Sequence, residues 1–260
     1  MNRSTMTKEE EKYTYIYYYI FSLLLILWIT RGLLMFSVKS FFSFQDFEHK
    51  TLFQDIAYIW QALQKIEAFF KEKTLGNNEA KSCELAYLVN PEQISIGEGT
   101  IVEPGAYIRG PCIIGKNCQI RHGSYIRGNV IIGDYCVIGH ATELKHSILL
   151  DHAHAAHFAF VGDSILGKGV NLGAGVRCAN LRLDGAPVCV QYGEESFSTG
   201  MRKLGAIIGD ETQIGCNVVL NPGTCFGKEV RCFPGLTVGG YISDRKYLRP
   251  KLKNNIIVDW

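Results

Sequence analysis

From Ile96 onward, branched apolar residues recur every six positions: Ile96, Val102, Ile108, Ile114, Ile120, Ile126, Ile132, Ile138 and Leu144. The run has no slip. Glycine follows at once at Gly97, Gly115, Gly133 and Gly139. The phase then moves by one at Leu149, Ala155 and Val161, and again at Leu166, Leu172 and Cys178. It resumes at Ile208, Ile214, Leu220, Phe226, Cys232 and Val238. An α-helix turns through roughly 600° in six residues, about 120° short of two full turns, so it cannot keep such a series on one buried face. A short strand followed by a tight turn can. The period therefore predicts a parallel β-helix, an all-β architecture in which each coil stacks on the last.

The regions around the repeat are read by contrast with it. Residues 181–203 (LRLDGAPVCVQYGEESFSTGMRK) interrupt the period and are expected to form a long loop shaping a site. Upstream, Leu52, Ile56, Ile59, Trp60, Leu63, Ile66 and Phe70 have helical spacing, which predicts a helix from Leu52 to Leu75, stopped at Gly76-Asn77-Asn78. This helix is expected to serve as a cap or packing arm. The basic tail 241–260, with Arg245, Lys246, Arg249, Lys251 and Lys253, is expected to leave the repeat. The domain reading is an apolar segment over 1–40, a helical cap over 41–90, the β-helix over 91–240 and the tail over 241–260.

Tyr13 to Thr30 carries no charge and reaches the lower length limit of a membrane span. Three readings compete for it: a membrane anchor through residues 13–30, an apolar contact between copies, or sequence upstream of a start at Met35. The third is adopted, which predicts a cytoplasmic protein, with the anchor as its alternative. Nine cysteines, an odd number without any CxxC, argue against a disulfide framework or a thiolate zinc site. With 27 Lys and Arg against 25 Asp and Glu, the net charge is +2, which gives a nucleic-acid partner no electrostatic footprint.

More specific signals lie between Arg127 and Gly185. Arg127 stands 18 residues before Lys145, within Glu143-Leu144-Lys145. Then come Ala155-Ala156-His157-Phe158-Ala159-Phe160-Val161-Gly162-Asp163, Asn171-Leu172-Gly173-Ala174-Gly175, and Ala179-Asn180 before Asp184-Gly185. The repeat resembles the left-handed hexapeptide family, and this stretch resembles the acetyltransferase half of the bifunctional N-acetylglucosamine-1-phosphate uridyltransferases. The segment Thr199–Gly205 and the following IIGD look closer to the sugar-1-phosphate nucleotidylyltransferase branch of those proteins. The resemblance covers roughly residues 45–240 and implies a left-handed prism with three six-residue rungs per coil.

Two departures stand out. Phe160 occupies the position of the family's tyrosine. No G-x-G-x-R followed by P-K occurs, and the segment before Ile96 is too short for a nucleotidyltransferase domain, so uridylyl transfer is not expected of this chain.

The resemblance implies an acetyl-CoA-dependent N-acetyltransferase acting on an amino-sugar 1-phosphate such as glucosamine 1-phosphate, feeding UDP-N-acetylglucosamine biosynthesis, and assembled as a homotrimer. The residue chemistry agrees with it. His157 has the side chain whose pKa suits a general base near neutrality. Arg127 and Lys145 would hold the phosphate, and Asn171 and Asn180 would bond sugar hydroxyls or the acyl group, beside Phe160. Gly173-Ala174-Gly175 would let a pantetheine arm approach, and by resemblance Ala174, Cys216 and Pro234 would contact CoA, with Arg249 or Lys251 near its 3′-phosphate. The alternative is a non-catalytic trimeric partner of a separate sugar-1-phosphate nucleotidylyltransferase. A zinc site at His152, His154 and His157 is the weaker reading, since the spacing does not fit a ligand trio, and no metal is expected.

Overall fold

The computed structural model describes residues 8–44 and 47–250. Residues 87–248 form a left-handed parallel β-helix of triangular section, built from three eight-stranded parallel sheets. Face A runs from Ile94–Ile96 to Tyr241–Ile242, face B from Ile101–Val102 to Tyr247–Leu248, and face C from Tyr87–Val89 to Thr237–Val238. Every member of the six-residue series points inward. Ile96, Ile114, Ile132, Leu149, Leu166, Ile208 and Phe226 stack on face A, and their counterparts line faces B and C in one continuous core. The two phase slips fall at the corner between faces C and A. There His146 (φ 46°) and Asp163 (φ 49°) take left-handed backbone and turn the chain in one residue fewer.

The tail differs from its expectation, because Tyr241–Ile242 pairs with Cys225–Phe226, and Tyr247–Leu248 with Arg231–Cys232. The repeat thus continues past residue 241. The step from Val238 to Ile242 is only four positions, so the six-residue count hid the last rungs.

Face A is apolar on both sides. Its outward residues Ile113, Ile131, Ile148, Ile165, Ile207 and Cys225 are all buried in a second core formed with the N-terminal arm. That arm comprises helices α1 (Lys8–Met35), α2 (Val38–Phe41) and α3 (Gln61–Lys71). Phe36 is the junction, with its ring 5.2 Å from Trp60, 5.1 Å from Phe197 and 5.5 Å from Tyr241. Asp210 ties the arm to the coils by accepting from the Ser43 and Lys168 backbone N–H groups, while its own N–H donates to the Phe41 carbonyl.

The expected helix over Leu52–Leu75 is shorter than its apolar spacing. Lys50–Phe53 is a 3₁₀ turn, and Asp55 adopts φ 51°. The Gln61 side-chain oxygen accepts from the Ala57 and Tyr58 N–H groups, and the Ile59 N–H donates to Phe36. These bonds hold the chain out of helix until Gln61. Leu52 and Ile59 are buried from irregular backbone, so apolar spacing alone overran the helix.

The insert 181–203 folds into a hairpin. Its hairpin, Cys189–Tyr192 against Glu195–Ser198, buries Val190 and Phe197 in the arm's core. It braces face A. Arg31 joins it through Glu195 at 2.9 Å, and a Cβ on Gly32 would meet the Phe197 ring at 2.9 Å. Upstream of that contact, Tyr17 to Phe21 of α1 are exposed. Among the described residues, no helix is long and apolar enough to cross a membrane.

All nine cysteines are free thiols. Burial pushes Cys178 up to about 12 and Cys232 up to about 11, so both stay protonated in the core.

Buried histidines make the fold acid-sensitive. His49 packs edge-on against Phe47 and Phe69, and among the described residues its Nδ1 is buried without a hydrogen-bond partner. Burial lowers its pKa from 6.5, and does the same to His146. Below that value the unfolded chain takes up protons that the folded chain refuses, so stability rises with pH. Their contribution is intact above pH 6.5 and is lost as the pH falls toward the depressed folded values. The expected result is a melting temperature that drops between about pH 7.5 and 5.5, with a shallower drop in His49→Phe. An unchanged slope in that variant would remove His49 from the account.

Candidate active site

The corner between faces B and C carries one straight column. His157 lies in register with His140 at the end of its strand. Backbone bonds continue the column downward: the Gly175 N–H donates to the His157 carbonyl, Asn217 N–H to Ala174, and Gly235 N–H to Cys216. His157, Ala174, Cys216 and Pro234 therefore follow one another coil by coil along a single edge. The four residues assigned to base and CoA contacts are collinear although up to 77 residues separate them.

Beside that edge the backbone is bare because the coils are pressed together. A Cβ on Gly139 would stand 1.4 Å from the Ala156 carbonyl oxygen, one on Gly173 2.6 Å from the Cys216 nitrogen, and one on Gly215 2.5 Å from the Pro234 nitrogen. The glycines are required by this stacking of coil on coil. At the lower end of that edge the Arg249 guanidinium sits 5.7 Å over the Phe233 ring. Lys251 and Lys253 lie outside the described residues.

Upstream on the same edge His140 stacks on His122, with centroids 5.7 Å apart and planes 10° from parallel. The His122 carbonyl lies 3.0 Å from His140 Nδ1. As a donor there, Nδ1 leaves Nε2 free. Sequence reasoning passed over this pair, although His122 and His140 stand 18 residues apart, the spacing that stacks side chains in adjacent coils. His157 is exposed and, among the described residues, its side chain makes no hydrogen bond; its ring lies 6.4 Å from Phe158.

Face C carries the charged group. Arg127 and Lys145 lie in adjacent coils on the outward side, as their 18-residue separation predicted. Each has a partner. Arg127 Nη1 bonds Glu143 Oε1 at 2.7 Å, and Lys145 Nζ bonds Asp163 at 3.0 Å. Asn180 donates to the same Asp163 carboxylate at 2.5 Å. Phe160 stands in register between Glu143 and Arg177. Its ring edge and the Asn180 amide meet above Gly162, where a Cβ would lie 2.7 and 2.9 Å from them. Asp163 is the organising residue of this cluster; its position 18 after Lys145 was the unused signal.

The structure divides the sequence-derived set. Arg127, Lys145, Phe160 and Asn180 gather on face C. His157, Ala174, Cys216 and Pro234 share the corner. Asn171 lies on face B, in register between His154 and Gln213, apart from both groups. Among the described residues, no group of three or more His, Cys, Asp or Glu is placed to hold a metal ion.

The Lys145–Asp163 pair has a structural consequence of its own. Asp163 is only 8 % exposed, so Lys145→Met leaves a nearly buried carboxylate with Asn180 as its side-chain donor. We expect a loss of about 1–3 kcal/mol of stability, read by urea unfolding. An unchanged midpoint would mean that solvent already carries the Asp163 charge.

Comparison with known proteins agrees with this architecture. Residues 108–196 match the model of the GMPPB C-terminal domain. A bifunctional sugar-1-phosphate nucleotidylyltransferase/acetyltransferase of Sulfurisphaera tokodaii is 40% identical over 94 residues, 36% of this chain and 23% of that protein. The bifunctional protein GlmU of Methanococcus aeolicus is 40% identical over 83 residues, 32% of this chain and 20% of its own length. Part of this chain is thus similar to the acetyltransferase region of GlmU-type bifunctional proteins. An uncharacterised acetyltransferase of Escherichia coli, YaiX, is 36% identical over 146 residues, covering 56% of this chain and 64% of that one. The chain thus spans less than a quarter of the GlmU-type relatives it matches, and the homology lies in their hexapeptide-repeat acetyltransferase region.

Proposed function

We propose that this chain is an acetyl-CoA-dependent N-acetyltransferase whose acceptor is an amino sugar bearing a phosphate, with glucosamine 1-phosphate as its simplest form. The observation that carries the reading is the single column His157–Ala174–Cys216–Pro234, with Gly173 and Gly215 packed against the next coil beside it. A pantetheine arm laid along that column brings its thioester to His157 at one end and its nucleotide toward Arg249 at the other. Arg127 on the adjoining face attracts the acceptor phosphate, with its side chain 42 % exposed despite Glu143. Lys145 contributes by holding Asp163 and Asn180 in place.

In the reaction, His157 takes a proton from the acceptor ammonium, and the freed amine attacks the thioester carbonyl carbon. A carbon–nitrogen bond forms. The carbon–sulfur bond breaks, and CoA leaves as a thiolate that becomes the thiol by taking up the second proton, which the nitrogen loses on becoming an amide. Face A is sealed by the chain's own arm, so copies meet through faces B and C. A homotrimer packed in this way sets a neighbour's surface against the His157 corner and gives the imidazole a partner.

One observation favours the alternative, a non-catalytic partner of a separate nucleotidyltransferase. Phe160 presents a ring edge where a tyrosine would present a hydroxyl, and Lys145 is already neutralised by Asp163. Thiol release from acetyl-CoA with glucosamine 1-phosphate separates the two readings. Sugar-dependent release from the wild-type chain supports the enzyme. Release only after Phe160→Tyr supports a silenced one, and none from either variant supports the assembly role.

A further inference from the structure

We infer that the upper half of face C binds the diphosphate and base of a nucleoside diphosphate, so that the amino-sugar acceptor arrives nucleotide-linked. This deepens the acyltransfer reading and rests on it. Tyr107 and Tyr125 stand opposite each other in adjacent strands, their rings in an edge-on pair 5.3 Å apart. Two residues further along the same runs come Arg109 and Arg127, which therefore emerge on the same outward side. Two aromatic rungs thus lie beside two cationic rungs, about 4.8 Å apart from coil to coil. The Arg127 guanidinium lies 5.7 Å from the Tyr125 ring centre, so ring and charge share one surface. Tyr125 is 43% exposed, and Arg109 is exposed.

Charge availability selects this half of the face. Lys145 is committed to Asp163. Arg127 shares its charge with Glu143, and Arg109 has no ion pair among the described residues. Arg109, without an ion pair among the described residues, therefore sits one coil above the pair that sequence spacing selected. Two guanidinium forks one strand spacing apart match two linked phosphates, whereas a single phosphate engages one fork. The tyrosine rungs add a platform on which a nucleobase can stack, whatever its identity. A nucleoside diphosphate joins both features in one ligand.

Calorimetric titration of the full chain, without CoA, tests this with uridine 5′-diphosphate, guanosine 5′-diphosphate, uridine 5′-monophosphate and inorganic pyrophosphate as probes. Both diphosphates are expected to bind at least about tenfold more tightly than the monophosphate, and more tightly than pyrophosphate. Arg109→Gln and Tyr125→Leu are each expected to weaken uridine diphosphate by about tenfold. Equal affinity for diphosphate and monophosphate, or indifference to Arg109→Gln, overturns the inference. Pyrophosphate binding as tightly as uridine diphosphate overturns its nucleoside part. Thiol release, measured on the same samples, separates this inference from the reading beneath it. Release with glucosamine 1-phosphate but no diphosphate binding leaves the acyltransferase standing and removes the nucleotide subsite. Arg109-dependent binding without release from any amino-sugar acceptor does the reverse.

Discussion

His157→Ala is expected to lower acetyl transfer to the amino-sugar phosphate by about 10²- to 10⁴-fold, the usual contribution of a positioned general base. The folded state should not notice. The side chain is exposed at a corner and makes no hydrogen bond among the described residues, so its removal opens no cavity and strands no polar partner. kcat and KM should also separate: kcat falls because proton removal from the amine is impaired, while KM for the sugar phosphate, set on face C, moves little. A variant with wild-type melting and wild-type turnover would move the base elsewhere. His140 is the nearest alternative in the column, with Nδ1 facing the His122 carbonyl.

Phe36→Ala is expected to cost about 3–5 kcal/mol of stability, the upper range for a buried aromatic. Phe36 has no solvent exposure and touches three separately encoded parts of the chain: Trp60 of the arm, Phe197 of the inserted hairpin and Tyr241 of the last face A strand. The cavity left by its loss cannot collapse from one side alone, because each wall belongs to a different element. Urea unfolding measures the cost, and binding of a hydrophobic dye reports exposure of face A. A loss under about 1 kcal/mol would mean that the arm covers face A without depending on this junction.

Much of the β-helix could be read from the chain because its physical rule is local. One inward residue per rung, with the same spacing on three faces, leaves a six-residue trace that survives two one-residue slips. The rule fails where turns shorten. After Val238 the next inward residue, Ile242, comes two positions early, and the last rungs were read as a loose tail. The arm was less legible. Leu52 and Ile59 are buried by contacts from remote segments, which mimic helical periodicity without helical backbone. The sealing of face A was visible only as a second apolar residue in each strand, such as Ile113, Ile131 and Ile148.

The site was legible to the same degree. Spacing by coil length put Arg127 above Lys145, and the corner column gathers Ala174, Cys216 and Pro234 under His157. What spacing could not give is which face a residue occupies and with whom it pairs. Asn171 looked equivalent to Asn180, yet one points out from face B and the other donates to Asp163 on face C. The neutralisation of Lys145 needs the short turn at Asp163 as well as the 18-residue interval.

The central claim, transfer of an acetyl group to the nitrogen of an amino-sugar phosphate, is tested most directly by mass spectrometry of the acceptor after incubation of the full chain with acetyl-CoA and glucosamine 1-phosphate. The account predicts a sugar phosphate that has gained one acetyl group on nitrogen, in amounts matching the CoA released and absent in His157→Ala. Unchanged sugar phosphate, whether acetyl-CoA is hydrolysed or left intact, would contradict it.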